Sequence, residues 1–254
     1  MGLISWLRRK PREREMSLIE HLEELRRRLI ISVIAIGVGG VGGWFLYDSV
    51  IELLRSPYCD VVRQLPKRPP AGCDFIFSGA IDAFVLKLKV VAFIGLFAAL
   101  PIVLFQLWAF IVPGLTQRER RLAIPFVVSS VLLFAGGALL AYLTLPRALG
   151  FLLDIGGPHV IPLLAAKDFI GFVMLMTLAF GVSFELPLLL VFLAGVEIVS
   201  SEQMRGWRRS VVLVLAVLSA VITPSSDPYT MLALMVPMYV LFEGAILVAR
   251  LMKK

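Results

Sequence analysis

The residues that could carry chemistry in this chain are a few acids: Glu24, Glu119, Glu185, Asp227 and Glu243. Glu24 and Arg28 lie four residues apart, the spacing of a surface ion pair on a helix. Glu119 interrupts the basic run Gln117-Arg-Glu-Arg-Arg121, where an acid weakens a topology anchor. Two carboxylates on one membrane face can bind guanidinium groups through paired, charge-assisted hydrogen bonds. Glu185 lies near the middle of a long apolar run, where an ionised side chain is costly unless protonated, hydrated or paired. It is read either as a polar contact inside a bundle, or as a docking point for a partner helix or a wet cavity. Pro187, two residues on, removes a helix hydrogen bond and predicts a kink. Catalytic sets are missing. His21 and His159 are predicted on opposite sides, the aspartates fall in loops or at helix ends, and no His/Cys group has metal-ligand spacing. No metal, cofactor or enzyme activity is expected.

The elements that position these acids follow from composition. Apolar residues make up 59% of the 254 and charged residues 17%, against about 45–50% and about 25% in soluble domains. Mean hydropathy is +0.91. A soluble globule could not hide that surface, so an all-α membrane protein of several spans is expected. The apolar runs are 29–47, 90–112, 122–145, 169–196, 211–222 and 229–249. That predicts six transmembrane helices, with the last two short and joined as a hairpin. Asp227-Pro228 reads as an N-cap with proline at the first helical position. Gly37–Gly43 (GVGGVGG) predicts close packing of another helix on the first span.

Charge sets the orientation. Net charge is +7, and 17 of the 25 Lys and Arg lie in the N-terminal segment, loops 113–121 and 197–210, and the C-terminus. This puts both termini in the cytoplasm and explains the basic excess without nucleic acid. No short apolar core with a cleavage site precedes the first run, so that span is expected to be retained. Ser17 and Glu20 fit a capping box that opens a helix before it. Cys59 and Cys73 both fall in the loop expected over 48–82, on the outer side. A disulfide is favoured there over free thiols.

Several stretches then point to one family. His21-Leu-Glu-Glu-Leu-Arg-Arg-Arg-Leu29 resembles the amino-terminal signature of TatC, the multi-span subunit of the twin-arginine protein translocase. Phe105-Gln-Leu-Trp-Ala-Phe-Ile-Val-Pro113 resembles the end of that family's second span, and Glu119-Arg-Arg121 the loop after it. Gly181-Val-Ser-Phe-Glu-Leu-Pro187, Thr223-Pro with Asp227, Pro237-Met-Tyr239 and Phe242-Glu243 are similar to its later motifs. They occur in order across roughly residues 17–250. The resemblance implies one membrane domain over residues 1–254, in the bacterial cytoplasmic membrane. It would receive Arg-Arg signal peptides and assemble with TatA, TatB and other TatC copies. With them it would export folded proteins using the proton-motive force.

Residue by residue, the resemblance maps the family's receptor acids onto Glu24 and Glu119, and its basic signature onto Arg26 and Arg28. The intramembrane acid maps onto Glu185, the outer acid onto Asp227, and the proline after the first span onto Pro57. Glu185, Pro187, Asp227 and Glu243 become candidates for contact with partner helices, and anionic lipids are expected at the basic face. Two departures stand out. Thr223-Pro-Ser-Ser-Asp227 is one residue longer than the family's usual turn, and Met231 replaces a frequent glutamine. Cys59 and Cys73 are not part of the general pattern. A small-solute transporter would call for more midplane polar residues, and an intramembrane hydrolase lacks its nucleophile and base.

Overall fold

The computed structural model describes residues 18–64, 72–77, 79–111, 123–155, 164–223 and 227–252. The helices are α1 (Leu18–Gln64), α2 (Asp82–Ile111), α3 (Ala123–Ile155), α4 (Ala166–Ser183), α5 (Glu185–Gly195), α6 (Ser201–Gly206), α7 (Arg208–Ile222) and α8 (Pro228–Met252). Among the described residues there is no strand, and a single isolated bridge joins Ile76 to Ala165. Five stretches are long and apolar enough to cross a membrane: 19–63, 82–111, 124–155, 166–195 and 228–252.

The first helix departs most from expectation. A loop was expected from residue 48, but α1 continues to Gln64 and includes Pro57. At 1.5 Å per residue its 47 residues extend about 70 Å. That is roughly twice a hydrocarbon core. Proline deprives the carbonyl four residues back of its usual donor. That carbonyl belongs to Leu53, and the Tyr142 hydroxyl of α3 donates to it at 3.1 Å. The turns around Pro57 bury Leu54, Tyr58, Val61 and Val62. Tertiary packing therefore carries the helix through a residue that ordinarily ends one. Alongside, Tyr58 stacks on Phe75 at 5.3 Å, and Phe75 meets Phe169 at 5.2 Å. Arg55 donates to Asp74 at 2.9 Å, and the Ala166 amide donates to the Ile76 carbonyl at 3.0 Å. Segment 72–77 is thus strapped between α1 and α4. Within it Cys73 lies in hydrogen-bonding reach of Cys59. The pair expected as a disulfide is present as two thiols, Cys59 buried and Cys73 partly covered.

The fourth apolar run is split. Phe184 separates α4 from α5, and its amide still donates to the Phe180 carbonyl at 3.1 Å. Pro187 sits in the first turn of α5 and cannot donate to the Ser183 carbonyl, so the break falls where the proline ring would crowd that carbonyl. The last hairpin is asymmetric. Its first arm, α7, has only 15 residues, whereas α8 has 25. The expectation that both are short fails for α8, which runs on past Glu243 to Met252 with Ala245, Ile246 and Ala249 buried against the bundle. Asp227 caps α8, accepting from the Thr230 amide at 2.8 Å. Ser17, the other half of the expected capping box at α1, lies outside the described residues.

Glycine sets the closest approach of α1 and α2. A Cβ on Gly95 would lie 2.4 Å from the Ile36 carbonyl oxygen, and one on Gly39 would lie 2.8 Å from the Gly95 oxygen. Gly37, in the same glycine run, faces open space. At the end of α5, Glu197 adopts φ 62, and the Ile198 amide donates to the Leu193 carbonyl at 3.0 Å. This is the left-handed position that normally ends a helix with glycine.

Gly95→Val is expected to destabilise the fold by about 1–3 kcal/mol through overpacking, whereas Gly37→Ala leaves the thermal midpoint unchanged. Glu197→Gly is expected to raise the midpoint, because it relieves about 1 kcal/mol of left-handed strain. A thermal melt of the three purified variants checks all of these.

Candidate functional site

Where α1 begins, it meets the C-terminal end of α2. His21 stacks on Phe110 with ring centroids 4.4 Å apart and an interplanar angle of 16°. One turn further, Glu24 and Arg28 form an ion pair in which Nε and Nη2 of Arg28 both donate to Oε1 of Glu24. Nη1 of Arg28 crosses to α2 and donates to Oε1 of Gln106 at 3.3 Å. The two side chains are only 22% and 21% exposed, so this is not the open surface pair that the i,i+4 spacing alone suggests. The second oxygen of Glu24, Oε2, is buried and has no hydrogen-bond partner among the described residues. Glu24, Arg27, Arg28, Ile31 and Gln106 line a pocket of about 260 Å³. Arg26 stands exposed and outside it. Two residues are 200° around a helix, so Arg26 and Arg28 cannot share the Glu24 face. Glu119 lies outside the described residues.

A second polar centre lies where α2, α3 and α5 meet. The Trp108 indole N–H donates to Oγ of Ser130 at 2.6 Å, and Ser130 donates onward to Oε2 of Glu185 at 2.7 Å. The chain has one direction. Indole is only a donor, so Ser130 accepts from Trp108 and its own hydroxyl is left to donate to the carboxyl group. The other oxygen, Oε1 of Glu185, is buried without a partner. Aromatic rings close the neighbourhood, with Trp108 5.2 Å from both Phe126 and Phe192. Pro187 is buried next to Leu188, which packs with Trp108 and Phe192.

The remaining acids have separate places. Arg208, at the start of α7, donates to Oε2 of Glu243 at 2.6 Å, and the Tyr239 hydroxyl donates to Oε1 at 3.1 Å. Phe242 and Ile246 of α8 pack against Ala194 and Met204, which ties this pair to the same end of the bundle as Phe192 and Trp108. Asp227 is fully buried at the opposite end of α8. Gln106, Trp108 and Tyr239 fall in the family motifs, but neither they nor Ser130 and Arg208 were given a site role by sequence reasoning. The signal was present for two of them: Gln106 and Ser130 are polar residues inside otherwise apolar runs, and a search confined to charges passes over them. No group of three His, Cys, Asp or Glu suited to a metal occurs among the described residues.

Residues 20–237 match the family described as Sec-independent protein translocase protein (TatC). The chain belongs to the TatC family. The Sec-independent protein translocase protein TatC of Frankia casuarinae is 40% identical over 244 residues, covering 94% of this chain and 67% of that one. The protein of the same name from Aquifex aeolicus is 34% identical over 239 residues, covering 93% and 95%. A crystal structure of the twin arginine translocase receptor TatC aligns with a TM-score of 0.72 and 33% identity, over 92% of this chain and all of that one. As a TatC-family chain with several long apolar helices, it is a multi-pass membrane protein and a translocase component of transporter type.

Ser130→Ala is expected to strand the Trp108 N–H and lower stability by about 1–3 kcal/mol. Ser130→Thr keeps the hydroxyl and restores most of that loss. Thermal melts of the two variants beside the parent separate the hydrogen bond from the packing.

Proposed function

We propose that this chain is the receptor for twin-arginine signal peptides and the core subunit of a Tat translocase, exporting folded proteins across the cytoplasmic membrane at the expense of the proton-motive force. The observation that carries the reading is Glu24. It is a half-buried carboxylate on α1 with one unpartnered oxygen, and it lines a pocket about 260 Å³ in volume. A guanidinium is the cation whose forked N–H groups suit such an acceptor. The family resemblance adds Glu119 as the second receptor acid and Arg26 and Arg28 as the basic signature, of which Arg28 lies beside Glu24. The basic excess supports a cytoplasmic position for both termini and for this face. It also supports contact with anionic lipids.

In this reading α7 is the fifth of six spans and α8 the sixth. The 15 residues of α7 give about 22 Å of helix, short of the core, so the bilayer thins beside it. Glu185, Pro187, Asp227 and Glu243 mark the sides where TatA, TatB or further TatC copies dock. Residues 1–254 act as one membrane domain with a structural proline at Pro57. A bundle of this size is too small to enclose a folded cargo, so those partners line the passage. On the outer side the thiols of Cys59 and Cys73 lie close enough for oxidation to join them as a disulfide.

Glu24→Ala and Glu119→Ala are each expected to insert normally and to lower export of a twin-arginine reporter by about tenfold or more, the loss of one charge-assisted hydrogen bond. Normal export by both variants would remove the proposed site. Glu185→Gln, which keeps a hydrogen-bonding oxygen for Ser130, is expected to export, whereas Glu185→Ala is not. Equal, full export by both leaves the acid without a role.

A further inference from the structure

The seam between α1 and α2 holds an apolar groove of about 580 Å³. Gly37, Gly40, Val41 and Trp44 form its α1 wall, and Leu88 and Val91 its α2 wall. Close packing of the two helices does not account for it. A Cβ on Gly39 would lie 2.8 Å from the Gly95 oxygen, and one on Gly43 would lie 3.0 Å from Ile94, so α2 needs glycine at both. Gly37 meets nothing within 4 Å, and a Cβ on Gly40 would make only ordinary contact with Val91, at 3.7 Å. Glycine inside a helix is costly relative to alanine, and what these two glycines leave is open space. One end of the groove carries a cation. The Lys87 ammonium lies 4.3 Å from the centre of the Trp44 ring and 5.1 Å from that of Tyr47. The side chain is half-buried, and it pairs with no carboxylate among the described residues. Two rings hold the charge in place without neutralising it.

We infer that this groove binds one anionic phospholipid of the outer leaflet, with its phosphate on Lys87 and an acyl chain lying along Gly40 and Gly37. Depth and charge both favour a lipid over a partner helix. Trp44 is 16 residues beyond Arg28, about 24 Å along α1. That sets Trp44, Tyr47 and Lys87 at the far interface of a core about 30 Å thick, where aromatic rings and headgroups meet. From Trp44 the groove runs inward to Ile36, eight residues or about 12 Å. One leaflet is about 15 Å deep, whereas a spanning helix would need the whole core. An ammonium is a point charge suited to a phosphate oxygen. The chain leaves one apolar medium for another, so the groove offers it packing and no hydrophobic gain. The headgroup contact therefore carries the preference. The leaflet follows from the orientation proposed above, but the groove and Lys87 lie at the end of the span away from Glu24 in either orientation. The site is thus separate from the basic face where anionic lipids are otherwise expected.

The test is native mass spectrometry of the full chain in detergent, titrated with palmitoyl-oleoyl phosphatidylglycerol or with the phosphatidylcholine of the same chains. Choline brings its own cation to Lys87, so the parent is expected to retain phosphatidylglycerol in preference. Gly37→Leu fills the groove from a position with open space around its Cβ, and is expected to retain one lipid fewer at the same concentration. Lys87→Gln is expected to need about tenfold more phosphatidylglycerol to reach the parent's count, the worth of one charge-assisted contact. Its phosphatidylcholine binding stays close to the parent's. This second variant answers the question if Gly37→Leu does not fold. Gly136→Leu, at an exposed glycine of α3 with open space around it, is expected to match the parent. Unchanged retention in Gly37→Leu overturns the site, and unchanged phosphatidylglycerol binding in Lys87→Gln overturns the headgroup contact. A parent dimer that Gly37→Leu converts to monomer overturns the lipid in favour of a second copy. None of these results depends on export or on signal-peptide binding, so the receptor reading stands or falls separately.

Discussion

In hydrocarbon an unpaired backbone or side-chain polar group has no water to turn to, and this constraint shapes the molecule more than any other. It explains why Pro57, inside the longest helix, coincides with a tertiary contact. At Pro57 the freed Leu53 carbonyl takes a hydroxyl from α3, and the helix continues. At Pro187 the helix parts at Phe184 instead, and the new turn opens beside Glu185. One residue type has two outcomes, set by what the neighbouring helix offers.

The same constraint groups the polar side chains. Trp108, Ser130 and Glu185 come from three helices and form one directed chain of hydrogen bonds. Across the final hairpin, Arg208 of α7 and Tyr239 of α8 each donate to Glu243. Each acid that the sequence sets among apolar residues is met by a donor from elsewhere in the fold. The apolar exterior needs no such matching. Side chains such as Phe45, at 83% exposure, simply face the lipid.

At the start of α1 the matching is incomplete. Glu24 has one oxygen held by Arg28 and one with no partner, beside a pocket. A receptor for a charged leader has to keep its acid tolerable in the absence of ligand and still leave something to gain on binding. A carboxylate half-satisfied by its own arginine meets both conditions. Membership of the TatC family supplies the setting, a protein translocase, in which such a site has a use.

Much of this was legible in the sequence. Apolar run lengths dictated helices, because lipid admits no other arrangement for a lone segment. The Asp227-Pro228 start of α8 and the close approach at Gly39 were readable because capping and glycine packing are local in cause. The motifs around Glu24 and Glu185 carried the family. Tertiary structure alone decided the rest. The continuation of α1 past Tyr47 depends on Tyr142, which is 89 residues from the carbonyl it satisfies. The pairing of Glu243 depends on Arg208 of the preceding helix, and the state of Glu24 depends on Gln106, 78 residues from Arg28. Local sequence fixes which groups need a partner in a membrane. Which partner they get is a property of helices that are neighbours only after folding.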